Sequence, residues 1–246
     1  NHDATIGVIA HELGHAIFCY PDLYDPLENS AGIGAFGLMS GGAWGKKQGE
    51  YGGATPTHLM AWSKYKSDGS LCYKDILRLM GKENTANYNG VVFELPDNIS
   101  SNTSSVALYH TTHANFNTKI INISGKTKEY FMLENIGHDG YQAGLDYLLG
   151  GNDNTSGIAI WHIDDNQSNN GADVNHKLVD LEEAAEAGMD NSSHSGKQTN
   201  LFFSGNKTEF SDSTDPNSKT YSGTSSGITI DNISAAGDSM TFDVTF

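Results

Sequence analysis

The segment His11-Glu12-Leu13-Gly14-His15 has the form H-E-x-x-H. Two histidines four apart on a helix lie on one face, so both imidazoles can reach a single metal ion. Glu12, rotated by about 100° around the same helix, is badly placed to be a ligand. It is well placed to hold a water and take its proton, which is the chemistry of a zinc hydrolase with its own general base. The expected cofactor is zinc on His11 and His15, and the expected catalytic residue is Glu12. A third ligand has to come from the chain after the helix. Asp22, just past Pro21, is the nearest carboxylate and the first choice; Asp25, Glu28 or a distant carboxylate are the alternatives. The stabiliser of the transition-state oxyanion has no clear signature, and Tyr24 and Tyr51 are its candidates.

These residues need a helix and a turn to position them. Ile6, Ile9, Leu13, Ile17 and Tyr20 recur at spacings of three and four, which predicts a core-facing apolar stripe. Ala4, Val8, His11 and His15 lie on a different stripe, facing a cleft. Asp3 is the expected N-cap, and Pro21, which disfavours helical geometry at Tyr20, marks the end. Downstream, Met39 sits in the glycine-flanked run Gly37-Leu38-Met39-Ser40-Gly41-Gly42. It could be ordinary core filling. After an H-E-x-x-H helix, it reads better as the hydrophobic floor beneath a metal, the Met-turn of metzincin-type peptidases.

Several segments together resemble one family. IAHELGHAIFCYPDLYD (9–25) is similar to the zinc region of the immune inhibitor A family of secreted bacterial metallopeptidases. GIGAFGLMSGGAWG (32–45) resembles that family's Met-turn segment, and TPTHLMAWSKY (55–65) the helix after it. EYFMLEN (129–135), GIAIWHIDDN (157–166) and the stretch 216–234 resemble later strands. The chain departs from the longer metzincin motif in two places. Phe18 stands where that motif has glycine, and Asp22 lies one position later than its aspartate. The resemblance implies a metzincin-like zinc endopeptidase, secreted and acting on extracellular protein or peptide substrates. Metzincin-like domains place a sheet upstream of the zinc helix, and here only ten residues precede His11. The chain therefore reads as a fragment of a longer precursor. By itself it is expected to be inactive, or nearly so, on protein substrates.

Composition narrows the field. A net charge of −16 with 14 Lys and Arg argues against nucleic acid and anionic membranes as partners. No apolar run is long enough to span a bilayer. Acidic surfaces suit extracellular proteins and can supply calcium ligands. The loop Asp164, Asp165, Asn166, Asp173 and Asn175 is an unspecific calcium candidate. Cys19 and Cys72 are compatible with a disulfide, or with two buried thiols. His162 and Asp164, two apart in an apolar strand, read as a hydrogen-bonded core pair rather than a metal cluster.

The fold class expected is α+β. Residues 1–90 read as the C-terminal part of a metzincin-like catalytic domain, with zinc helix, Met-turn, a helix from Thr55-Pro56 to about Lys66, and a shorter helix at 73–80. Residues 91–246 read as an antiparallel, sandwich-like β region. Its strand candidates are 91–95, 106–110, 119–123, 129–134, 158–163, 200–203, 228–233 and 240–246. Two rival functions remain: a zinc aminopeptidase, for which no group that would capture a substrate's free amine is evident, and a non-enzymatic secreted β-sandwich keeping only part of a metallopeptidase site.

Overall fold

The computed structural model describes residues 4–69, 96–110, 116–138, 140–150, 156–171, 173–185 and 188–246. Asp3, Cys72, the helix expected at 73–80 and the strand expected at 91–95 lie outside the described residues. The protein is mixed α+β, with helices α1 (Ile6–Phe18), α2 (Ala61–Gly69) and α3 (Leu145–Leu148). The strands are β1 (Asp97–Ile99), β2 (Thr103–Tyr109), β3 (Lys119–Asn122), β4 (Glu129–Ile136), β5 (Gly157–Asp164), β6 (Val179–Leu181), β7 (Thr229–Asp231) and β8 (Ser239–Thr245).

The strands form two sheets. A five-stranded sheet runs β1-β3-β4-β5-β6, and a three-stranded sheet runs β2-β8-β7. Every pairing is antiparallel except β1 with β3, which is parallel. Strands β4 and β5 form the spine: both are buried along their whole length, and Glu129 to Ile136 pair with Asp164 to Gly157. Successive side chains of a strand point to opposite faces, so this sheet feeds two cores. Phe131, Leu133, Ile158 and Ile160 pack with Leu108, Ile230, Met240 and Phe242 of the smaller sheet. Tyr130, Met132, Ala159, Trp161 and Ile163 pack on the other side with Leu23, Ile33, Phe36, Met39, Met60 and Trp62. Burying a side chain such as Phe131 contributes about 2–3 kcal/mol. The site-bearing segment and the β region thus share one core across position 90.

Helix α1 differs from its expectation. Its N-cap is Thr5, which donates from Oγ1 to the Gly52 carbonyl at 2.9 Å. It ends at Phe18, where Cys19 turns left-handed at φ 55°, two residues before Pro21. Cys19 is disulfide-bonded. Of the expected core-facing stripe, Tyr20 beyond the helix end is in the core and Ile17 is half-buried, but Ile6, Ile9 and Leu13 are 55%, 44% and 48% exposed. What the helix buries is Gly7 and Gly14. A Cβ on Gly7 would lie 2.0 Å from the Ala43 carbonyl oxygen, and one on Gly14 would lie 2.5 Å from Met39 Sδ. The helix is held by backbone approach through its small residues, which apolar periodicity does not register.

Helix α2 starts six residues after Thr55, and residues 55–60 are not helical. Their backbone bonds to the preceding loop instead: Thr55 N to Gly45 O, Thr57 N to Gly42 O, and Leu38 N to His58 O. The cap of α2 comes from β4, where Glu134 accepts from Ala61 N at 2.8 Å and from Lys64 Nζ at 2.6 Å. A carboxylate at a helix N-terminus satisfies an orphan amide and favours the helix dipole. Residues 198–200 form a 3-10 turn rather than a strand, and Phe202 keeps a single bridge to Ile158. The short strands β1 and β6 had no sequence signal. No described helix is long and apolar enough to cross a membrane.

Candidate metal centre

Helix α1 places His11 and His15 one turn apart with their rings edge to face, centroids 4.8 Å apart. Each ring is fixed through Nδ1 by a backbone carbonyl. His11 Nδ1 lies 2.9 Å from Leu38 O, and His15 Nδ1 lies 2.6 Å from Tyr20 O. A carbonyl can only accept, so each Nδ1 carries the proton, and in the neutral ring Nε2 is left with its lone pair.

The two Nε2 atoms are 3.1 Å apart. Asp22 Oδ1 lies 3.1 Å from His11 Nε2 and 3.0 Å from His15 Nε2. With both histidines neutral, three acceptors converge and none of them has a proton to share. A cation placed among them would satisfy all three. A tetrahedral zinc with arms of about 2.1 Å sets its ligand atoms roughly 3.4 Å apart, so the triangle needs to open by only a few tenths of an ångström. Two imidazoles and a carboxylate, with carbonyl partners behind the rings, could hold a zinc ion. Among the described residues, His11, His15 and Asp22 are the group of His, Cys, Asp and Glu side chains close enough together to hold a metal.

The alternative carboxylates are placed elsewhere. Asp25 is buried and accepts from the amides of Leu27, Asn29 and Ser30 at 2.8, 3.0 and 3.1 Å; its oxygens build the loop. Glu28 is exposed, with a positive φ of 59°.

The loop 37–42 supports the helix from beneath. Met39 is buried, its sulfur lies against Gly14, and its carbonyl accepts from Leu23 N at 2.8 Å. The same loop supplies the Leu38 carbonyl that fixes His11. Met39 also belongs to the larger core, so it packs there as well as against α1.

Glu12 is exposed and lines a cavity of about 320 Å³ together with His11, Tyr24 and Trp44. The Tyr24 ring stacks on His11 with centroids 6.3 Å apart and planes 29° apart. Partial burial and the neighbouring carboxylates of Asp22 and Glu12 push its phenol above the ordinary tyrosine range. Tyr51 is 63% exposed and does not line this cavity.

The second histidine cluster is built differently. His162 does not pair with Asp164. Its Nδ1 lies 3.0 Å from Glu182 Oε1 and its Nε2 3.2 Å from Glu129 Oε1. Asp164 bonds His176 Nε2 at 2.7 Å and holds Asn166. Tyr221 stacks between the two imidazoles, 4.1 Å from each. Burial opposes the charge on His162, but the two carboxylates outweigh it and raise its pKa to about 9. Glu129 is pushed the other way, to about 2: its bonds to His162 and Lys126 overcome the cost of its burial. The loop considered for calcium is likewise spent on protein partners. Asp165 accepts from Trp62 Nε1, Lys66 Nζ and Tyr130 OH at 3.0, 2.6 and 3.2 Å, and Asp173 accepts from Asn175 N at 2.9 Å. Nor did the sequence reveal the buried Lys177, which pairs with Asp180 and Asp190. Its partners lie three and thirteen residues away, with no periodic signature.

No curated protein matches the chain. Residues 1–71 match the family model of the immune inhibitor A peptidase M6 catalytic domain, 71 of the 246 residues. That segment contains His11, Glu12, His15, Asp22 and Met39, and over it the chain is similar to the immune inhibitor A peptidases.

Proposed function

We propose that this chain carries the catalytic centre of a secreted zinc endopeptidase. His11, His15 and Asp22 would hold the metal, Met39 would be its Met-turn, and Glu12 would be the general base. The observation that supports this reading most is the convergence of three acceptors whose histidine tautomers are set by backbone carbonyls.

Zinc, when bound at such a site, supplies Lewis acidity and brings the pKa of a water down to about 7. The rest falls to the chain. Glu12 reaches the cavity and takes a proton from a water as its oxygen bonds to the peptide carbonyl carbon. It returns that proton to the amine nitrogen as the C–N bond breaks. The carbonyls of Leu38 and Tyr20 keep both imidazoles aimed through Nε2, so neither ring has to reorient during turnover. The substrates would be extracellular proteins or peptides.

The test is equilibrium zinc titration against a competing chelator, on the full chain. We expect one zinc per chain, lost in His11→Ala and His15→Ala. Unchanged binding in both variants would overturn the reading.

A further inference from the structure

We infer that a cavity at the β6 edge of the five-stranded sheet is a binding site for a guanidinium-bearing ligand, such as an arginine side chain, with Glu183 as its seat. The site shares no residue with the metal centre and does not depend on the zinc reading.

The cavity, of about 760 Å³, runs from the buried His162 and Glu183 out to the exposed Lys219 and Gly223, so it reaches the surface. Most of the charges along it are already matched. Glu182 bonds His162 at 3.0 Å, and Asp180 and Asp190 hold the buried Lys177 ammonium. Lys207 donates to the Asp215 carbonyl. Glu183 is different. It is 6% exposed, and its Oε1 accepts from Met189 N at 3.2 Å and Asn200 Nδ2 at 3.1 Å. Neither of those residues lines the cavity, so Oε1 is turned away from it and Oε2 is left on the cavity side. Oε2 is buried and has no partner among the described residues, and the same holds for the Tyr221 hydroxyl, on a second residue that lines the cavity. Burial and the charges of Asp190 and Asp180 raise the Glu183 carboxyl to about 7, the direction expected of a buried acid with no cation of its own. A carboxylate oxygen and a phenol oxygen both accept, so a ligand that satisfies them brings N–H donors and positive charge. A bare metal ion is poorly served, because among the described residues these carboxylates do not bring three ligand atoms together. A planar guanidinium, with donors spread along a fork, suits separated acceptors in a buried setting.

The experiment is calorimetric titration of the full chain in mildly alkaline buffer, where Glu183 is ionised. The probe is N-acetylarginine amide, and N-acetylcitrulline amide, its uncharged isostere, is the comparison. We expect one arginine site per chain, with the citrulline amide weaker by about tenfold or more, the usual worth of a charge-assisted hydrogen bond. Glu183→Gln keeps the size of the side chain and the Oε1 acceptor, and should lose the same factor on the arginine probe while unfolding at the parent's temperature. Equal binding of the two amides by the parent, or binding of neither, would overturn the proposal. So would undiminished arginine binding in Glu183→Gln. If that variant does not fold, Tyr221→Phe, which removes the other unpartnered acceptor, is judged by the same criterion beside the citrulline comparison in the parent. Displacement of the probe by calcium, one ion for one probe, would make the carboxylates a metal site and overturn the proposal as well.

Discussion

Two of the regions where histidine meets carboxylate give opposite results. Around His162 both ring nitrogens face carboxylate oxygens. The ring keeps two protons, becomes a cation, and neutralises the acids that surround it. Around His11 and His15 each Nδ1 faces a backbone carbonyl, and the second nitrogens face each other and Asp22. The first cluster is closed and requires nothing further. The second, with both rings neutral, presents lone pairs to a common point where a cation could sit. Residue types alone do not distinguish them; what sits behind each ring does.

The largest expected effect probes the open cluster at Glu12. Glu12→Gln keeps size and hydrogen bonding but cannot accept the proton. Peptide hydrolysis by the zinc-loaded full-length enzyme should fall by about 10²- to 10⁴-fold, with zinc stoichiometry unchanged. Loss of the metal in this variant would make Glu12 a ligand and undo its role as base. Next in size is the contrast between two aspartates. Asp22→Ala should weaken zinc binding by more than about 100-fold, beyond the range of outer-shell partners. Asp25→Ala should leave zinc affinity nearly intact and instead lower stability, by about 1–3 kcal/mol for each loop amide left without an acceptor. Chelator competition and urea unfolding on the same two proteins separate the outcomes, and reversed results would redraw the triangle.

The closed cluster is tested through pH. The folded pKa of His162 is raised to about 9 from an ordinary 6.5, so its contribution is complete below pH 6.5 and is lost as pH rises through 9. The Glu129 value is depressed to about 2 from 4.5, so its contribution is present above pH 4.5 and is lost as pH falls through 2. The clamp is therefore at full strength between about pH 4.5 and 6.5. A shift of the size seen at His162 corresponds to stabilisation on the order of 3 kcal/mol. His162→Gln should be most destabilising relative to the parent in that window, and the gap should narrow toward pH 9 and above. A gap independent of pH would mean that His162 is held as a neutral ring, and the contrast between the two clusters would lose its basis.

The parts of this structure legible in the sequence are those carried by local spacing. H-E-x-x-H put both imidazoles on one face of α1, and strict alternation placed β8 with its apolar side inward. What was not legible depends on distant partners. Glu134 caps α2 from a strand 73 residues away, so the helix begins later than Thr55-Pro56 suggests. The choice of Asp22 over Asp25 turns on three loop amides that only the folded loop presents to Asp25. The partners of His162, 20 and 33 residues distant, cannot be read from Asp164 two positions on. The stripe on α1 misled for a different reason: periodicity reports where apolar side chains lie, whereas this helix packs through its glycines.

That stripe yields the smallest expected effect. If α1 is held by Gly7 and Gly14 against Ala43 and Met39, the open cluster owes its geometry to the glycine face alone. Ile9, 44% exposed, then contributes little. Surface substitutions away from special features usually stay within about 0.5 kcal/mol, so Ile9→Ser should leave the urea unfolding midpoint almost unmoved and zinc affinity unchanged. A core isoleucine cut back to a small side chain would instead cost about 2–5 kcal/mol, several times the expected signal. A loss of that size, with zinc binding weakened alongside, would mean that the triangle depends on a surface packed over Ile9. The rigidity of the metal centre would then come from both faces of the helix, and its contrast with the self-contained His162 clamp would sharpen.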